Sequence, residues 1–372
     1  MKILSIVGAR PNFMKVAPLH RAFVKCPGIQ SKIIHTGQHY DAVMSDVFFC
    51  QLDLPQPDYF LGMCTGSTTQ QTADILSKFE NILTIERPDW VLVVGDVTST
   101  LACALTAAQC GIRVAHVEAG LRSGDGQMPE ERNRILTDAL SDLLFVTEQA
   151  GLDNLKRGGV ASDKVHFVGN VMIDSLVQHQ PKADKLNAVG ALGLGAQQYV
   201  LITMHRPTNV DTEAGLKRLL RVIENTARLK PVLFPIHPRT LANLRKYGLN
   251  TQLESMPNVQ LVKPQGYLEF LNLMEHAAVV ITDSGGIQEE TTYLQVPCLT
   301  FRQSTERPVT VELGTNQLIA DLNPETVSWK VHEILNGRIK VGWIPPLWDG
   351  RAAERIAKIL CASAQAARSV AP

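Results

Sequence analysis

The sequence predicts an α/β protein of two Rossmann-like domains with a ligand cleft between them. Three observations carry that expectation. Short apolar runs alternate with helix-length amphipathic stretches, the pattern of parallel strands covered by helices. At 372 residues the chain is long for one core and suits two. Between two such runs, residues 174–197 are richer in Lys, Gln, Asn and Gly and read as a linker leading into a second domain. The expected domains span 1–173 and 174–351, with a C-terminal helix over about 352–369 packing back on the first.

In the first half, strands are expected at "KILSIVG", "SKIIHTG", "DWVLVVGD", "RVAHVEAG", "DLLFVTE" and "KVHFVGN". Helices such as "FMKVAPLHRAFVK" and "STLACALTAAQC" fall between them. The second half repeats the pattern with "YVLITMHR", "KPVLFPIH", "VQLVKPQG", "AAVVITDSGG" and "PCLTFRQ". The carboxyl ends of such strands are where open α/β sheets take ligands.

Composition narrows the function. Lys+Arg and Asp+Glu both number 36, so the formal net charge is zero. No global field then recruits nucleic acid or an anionic membrane, and a phosphate-bearing ligand must be held by local geometry. Seven cysteines without a CxxC pair argue against a disulfide framework or a metal site and fit a reducing cytoplasm. The apolar run of "MKILSIVGARP" is too short for a signal peptide. No stretch reaches the ~18 apolar residues of a membrane span.

Several groups carry candidate chemistry. In "VGARPNFMK", Gly8 ends a strand, and Arg10 and Lys15 bring positive charge to the start of a helix. That is an anion site or an ordinary surface turn. In "VITDSGGIQEE", Ser284, Gly285 and Gly286 open a helix near Ile287 and offer backbone N–H donors to a diphosphate. Glu290, one turn on, is placed to accept from ribose hydroxyls; a capped helix with a glycine turn is the alternative. His205 with Arg206, and His237 with Arg239, stand at strand ends, and Arg307 lies in the loop "STERP".

The carboxylates form a further set. Asp96 and Glu118 end neighbouring strands, and a carboxylate at a buried strand end needs a partner or a purpose. Pro129 starts a helix with Glu130 and Glu131 in its first turn. Glu130 stands four residues before Arg134, the spacing of an ordinary ion pair. Asp125 and Glu131 read as solvated. No dinucleotide fingerprint is present, because "GALGLG" precedes a strand instead of following one.

The ordered set "GARPNFMK", "TGQH", "VGDVTSTLA", "HVEAGLRSGD", "PEERNR", "GNVMID", "HRPTN", "TDSGGIQEE" and "TERP" resembles the non-hydrolysing UDP-N-acetylglucosamine 2-epimerases over essentially the whole chain. The resemblance implies a glycosyltransferase B-type fold, a homodimer, a UDP-sugar substrate and no cofactor, neither NAD nor metal. By matching motif, Arg10, Lys15, His205, Ser284, Gly285, Gly286 and Arg307 hold or orient the UDP phosphates. Arg134, Arg206 and His237 join the substrate-binding set, Glu290 takes the ribose and Phe270 faces the uracil. Asp96, Glu118 and Glu130 match the acid/base carboxylates, with His205 counted among the catalytic residues.

The chain also departs from that pattern. "GQHYDAVMS" differs from relatives activated by their substrate, and an expected Arg near "TTQQTA" is absent, which implies no strong activation of that kind. A short "SGDGQMPEE" loop and Val309 in "TERPVT" point toward a modified sugar, a 2,3-diacetamido or uronate derivative. A hydrolysing 2-epimerase, a glycosyltransferase of the same fold and a non-catalytic sensor are the competing readings.

Overall fold

The computed structural model describes residues 1–38, 49, 51–63 and 66–370, apart from the side chains of Arg10 and of 364–370. The Arg10 side chain and most of "GQHYDAVMS" therefore lie outside the described residues. The chain divides into two compact units, Met1–Gln178 with Pro346–Pro372, and His179–Pro345.

The first unit carries β1 (Lys2–Val7), β2 (Gln30–His35), β3 (Tyr59–Phe60), β4 (Trp90–Val94), β5 (Arg113–Val117), β6 (Leu143–Val146) and β7 (Val165–Phe167), in the order β3-β2-β1-β4-β5-β6-β7. The second carries β8 (Val200–Thr203), β9 (Val232–Pro235), β10 (Val259–Val262), β11 (Val279–Thr282), β12 (Cys298–Thr300) and β13 (Asn316–Leu318), in the order β10-β9-β8-β11-β12-β13. The strand pairs are parallel. Both orders reverse direction beside their first strand, at β1/β4 and at β8/β11. That reversal opens a crevice outside the strands' carboxyl ends.

Parallel strands are buried on both faces, so they read as continuous apolar runs. Ile3, Leu4, Ile6 and Val7 of β1 are all buried, and Leu4 and Ile6 pack with Ile75, Phe79 and Leu83 of the helix Thr68–Glu86. In the second unit, Val200 and Ile202 pack with Leu216, Leu219 and Ile223 of the helix Glu213–Ala227, and with Val327 and Val331 of the helix Pro324–Leu335.

Three readings need correction. β3 and β13 were not expected, because two and three residues are too few to show a strand pattern. Residues 174–197, read as a linker, are largely helical: the helix Val171–Leu186 runs through them, followed by the short helix Ala188–Ala191, and the division of the units at Gln178/His179 falls among them. The Lys, Gln, Asn and Gly content suggested a linker, yet Leu176, His179 and Ala183 are buried along one side of the helix. The helix after β11 begins at Gly285, two residues before the expected start.

The C-terminal helix Ala352–Val370 packs on the helix Arg10–Val24. Its start is fixed from afar, since the Asp174 carboxylate accepts from the backbone N–H groups of Ala352 and Ala353 at 3.0 and 2.7 Å. Trp348, fully buried, donates its indole N–H to the Thr147 carbonyl at 3.0 Å. Asp174→Ala removes both cap bonds and is expected to lower the stability of this unit by about 1–2 kcal/mol, read as a lower urea midpoint at unchanged slope.

Candidate active site

At the end of β1, Gly8 approaches its neighbours closely. A Cβ there would stand 2.3 Å from Ser99 Oγ and 2.7 Å from Thr36 Oγ1, so only glycine fits. The next turn is tied across the sheet by Asn12. Its Oδ1 accepts from the N–H groups of Gly8 (3.1 Å) and Ala9 (2.9 Å), and its Nδ2 donates to the Val94 carbonyl at the end of β4 (3.1 Å). One turn on, Lys15 reaches back and donates to Glu118 Oε2 at 2.5 Å, both side chains being buried.

Glu118 follows β5 with a kink. Its φ is +72°, and its N–H and that of Ala119 both donate to the Phe145 carbonyl. A non-glycine residue in the left-handed region costs on the order of 1–3 kcal/mol and persists where its surroundings over-determine it. Gly95, after β4, faces the Lys15–Glu118 pair: a Cβ there would lie 3.1 Å from Lys15 Nζ and 3.7 Å from Glu118 Oε2. Asp96 follows, and its Oδ2 accepts from Nε and Nη2 of Arg134, each at 2.9 Å. Each strand-end carboxylate thus meets a cation delivered by a helix.

The helix Pro129–Leu140 corrects one expectation and redirects another. Glu131 is buried, not solvated. Its carboxylate accepts from the Ser123 N–H and hydroxyl at 2.8 and 2.9 Å, from the Gly124 N–H at 3.2 Å and from Arg134 Nη1, closing the loop onto the helix. Arg134 pairs with Asp96 and Glu131, so the expected Glu130–Arg134 pair does not form. Glu130 is half-exposed and makes no ion pair among the described residues.

Sequence reasoning passed over His116 and Asp138, both buried beneath this cluster. Asp138 meets His116 Nδ1 at 2.7 Å and accepts from the Gly120 N–H at 3.1 Å and from Arg122 Nη2 at 2.7 Å. Burial works against its charge, but His116 and Arg122 hold the carboxyl below its ordinary range. The available signal was "VAHV", a histidine within the apolar part of a strand.

In the second unit Asp283, fully buried, does similar work. Its carboxylate accepts from the N–H groups of His205 and Arg206, with shortest distances of 3.0 and 2.9 Å, and from Asn209 Nδ2 at 3.0 Å. The His205 ring lies 5.2 Å from that of His237, which caps the helix Pro238–Lys246 by accepting the Arg239 N–H at 3.2 Å. Arg239 itself is taken by Asp211.

Ser284 stands before the helix Gly285–Leu294 without capping it through its side chain. A Cβ on Gly285 would lie 2.7 Å from Arg307 Nη1, so the glycine admits that guanidinium to the helix start. Arg307 is buried and pairs with Glu306 and with Glu289, the latter at 2.8 Å. Arg302 holds the other oxygen of Glu306 at 2.7 Å, and Arg206 stands 3.8 Å from that carboxylate. Burial opposes the Glu306 charge, but Arg307, Arg302 and Arg206 hold its carboxyl far below the usual range.

Glu290 is buried facing the Tyr267 hydroxyl, and burial pushes its carboxyl up to about 8. Tyr267 works against that rise, and Glu289 adds to it. Phe270 lies half-buried one turn beyond Tyr267 on the helix Tyr267–Glu275. The structure therefore gathers Lys15, Asp96, Glu118 and Arg134 in the first unit. In the second it gathers His205, Arg206, His237, Ser284, Gly285, Gly286 and Arg307, with Glu290 deeper along the same helix.

A family model described as UDP-N-acetylglucosamine 2-epimerase matches residues 21–361. The chain belongs to the UDP-N-acetylglucosamine 2-epimerase family. A UDP-N-acetylglucosamine 2-epimerase of Methanocaldococcus jannaschii is 42% identical over 97% of this chain and 99% of its own. A UDP-2,3-diacetamido-2,3-dideoxy-D-glucuronate 2-epimerase of Pseudomonas aeruginosa is 41% identical over 86% and 88%. Among solved structures, the Methanocaldococcus jannaschii UDP-GlcNAc 2-epimerase in complex with UDP-GlcNAc and UDP superposes with a TM-score of 0.90, covering 97% of this chain and all of that one. The Neisseria meningitidis UDP-GlcNAc 2-epimerase bound to UDP-GlcNAc follows at 0.89, with 32% identity over 97% of this chain and all of that one. Two parallel sheets with alternating helices are thus the architecture of this epimerase family.

The Glu290 shift has a measurable sign. The folded carboxyl holds its proton to about pH 8, while the unfolded one releases it near the ordinary glutamate value. The protonated group therefore supports the fold at low pH, and that support is lost as pH rises towards 8. Thermal unfolding of wild type and Glu290→Gln is expected to show the wild type losing ground by about 1 kcal/mol per pH unit, levelling above pH 8. A difference independent of pH would contradict this.

Proposed function

We propose that this chain interconverts UDP-N-acetylglucosamine and UDP-N-acetylmannosamine by inversion at C2, without hydrolysing the product. The observation that carries the reading is the pair of strand-end carboxylates, Asp96 and Glu118, each beside its own buried cation within a chain that matches the family along nearly its whole length.

The C2 hydrogen has no adjacent carbonyl to acidify it, so elimination is the route these residues suit. A carboxylate takes the C2 proton, the electron pair forms the C1–C2 double bond, and UDP departs with the electrons of the C1–O bond. A second carboxylic acid then delivers a proton to the opposite face of C2, and a UDP oxygen adds back at C1. Two faces require two positioned acid/base groups, the role proposed for Asp96 and Glu118, with Glu130 as a third candidate. Arg206, His205, His237 and the N–H groups after Ser284 offer charge and donors to the leaving diphosphate. Lys15 and Arg134 keep the carboxylates in place. Glu290 and Phe270 are assigned to the ribose and the uracil. A homodimer accompanies this reading.

The Pseudomonas aeruginosa relative, nearly as similar as the first, favours a second reading in which the sugar is a 2,3-diacetamido uronate. Proton NMR of purified protein in D₂O separates them. UDP-GlcNAc is expected to acquire deuterium at C2 as UDP-ManNAc appears. Free ManNAc with UDP would mark hydrolysis, and exchange confined to the diacetamido uronate would move the chain to the second reading. Glu118→Gln and Asp96→Asn are each expected to slow exchange by about 10²–10⁴-fold, with UDP binding by calorimetry little changed.

A further inference from the structure

We propose that His116 carries a proton on both ring nitrogens and, as an imidazolium, is the positioning residue that fixes the strand-end carboxylates Asp96 and Glu118. The positioning half rests on the reading of those two as the acid/base groups; the charge of the ring does not. Nε2 lies 2.9 Å from the Gly95 carbonyl oxygen and Nδ1 lies 2.7 Å from Asp138 Oδ1. A carbonyl oxygen and an ionised carboxylate only accept, and a neutral imidazole has one N–H to give. Two acceptors therefore call for two protons.

The alternative is a protonated Asp138 donating to a neutral ring. The other bonds of that carboxyl oppose it, since the Gly120 N–H at 3.1 Å and Arg122 Nη2 at 2.7 Å both donate to Oδ2. The charged groups around the ring are Asp138 from the helix Pro129–Leu140, Arg122 beyond it, and the Lys15–Glu118 pair on the far side of Gly95. In register, Val93 of β4 and Leu144 of β6 flank His116 and add no charge.

The ring is fully buried and touches no ligand-accessible surface. Its effect passes through Gly95. That residue's N–H donates to the Val117 carbonyl at 3.0 Å while its own carbonyl accepts from His116, so both ends of the glycine are held by β5. The next residue is Asp96. Two residues after His116, just past the end of β5, stands Glu118, in its left-handed kink. One side chain thus sets where β4 releases one carboxylate and where β5 releases the other.

Nitrogen-15 NMR of histidine-labelled, ligand-free wild type at neutral pH tests the charge, with His116 assigned by its disappearance in H116Q. Both nitrogens are expected at protonated shifts with attached protons; one bare nitrogen overturns the proposal. Under the proposed function, His116→Gln, whose amide reaches one acceptor only, is expected to lower kcat roughly 10- to 100-fold with KM for UDP-GlcNAc changed less than about twofold. An unchanged kcat removes the positioning role. If that variant does not fold, Asp138→Asn, which keeps the shape and removes the counter-charge, reports the same split. A wild type that fails to turn over UDP-GlcNAc overturns the functional reading and leaves the NMR result standing.

Discussion

A buried carboxylate has to find donors, and in each unit one aspartate meets that demand by gathering the loops at the carboxyl ends of the strands. Asp138 draws on His116, the Gly120 N–H and Arg122. Asp283 draws on the N–H groups of His205 and Arg206 and on Asn209. Leaving such a group unpaired costs several kcal/mol, so the donors and the backbone that carries them are held in one arrangement. The sheets bring the strand ends into register, and these two aspartates decide how the chain leaves them.

A second constraint is shared. In both units a glycine faces a buried ion pair at short range, Gly95 against Lys15–Glu118 and Gly285 against Arg307–Glu306. At Gly285 a Cβ would stand 2.7 and 2.8 Å from Arg307 Nη1 and Glu306 Oε1 and would push the charges apart, and breaking a buried pair typically costs about 3–5 kcal/mol. Close approach requires the glycine at 285, while at 95 the left-handed φ of +69° adds to a tight 3.1 Å contact with Lys15 Nζ. The charged groups can be dry because no side chain competes for the space.

The legible part of the sequence was the part with a period. Runs such as "WVLVV" and "VVIT" announce buried parallel strands, and the glycines and charges just after them locate the strand ends. Edge strands of two or three residues carry no such signal. Nor does a helix through Pro181, whose buried stripe becomes visible only in the fold. Glu131 was misread because a charged residue in a first helical turn satisfies the dipole in water equally well. Its actual partners, Ser123 and Gly124, come from a loop that folds back. His116 and Asp138 stand 22 residues apart, and nothing local links them. Long-range polar pairing is set by topology, which sequence pattern does not encode residue by residue.

The charges of the second unit bear on how a diphosphate would be held there. Arg307 and Arg302 are buried and committed to Glu306 and Glu289. Recruiting either as a direct phosphate ligand would strip a buried carboxylate of its partner. Arg206 is placed differently: it retains about a quarter of its side-chain exposure, and its nearest carboxylate lies 3.8 Å away. Arg206 also feels the buried Asp283 carboxylate, but it is the most exposed of the three guanidiniums and the one without a close ion pair, so it has the least to lose by turning to a ligand. Beside it the helix that starts at Gly285 presents N–H groups that Ser284 does not cap with its side chain. On these grounds the proposed function would give the phosphate to Arg206 and the helix start, with Arg307 as the strut beside Gly285.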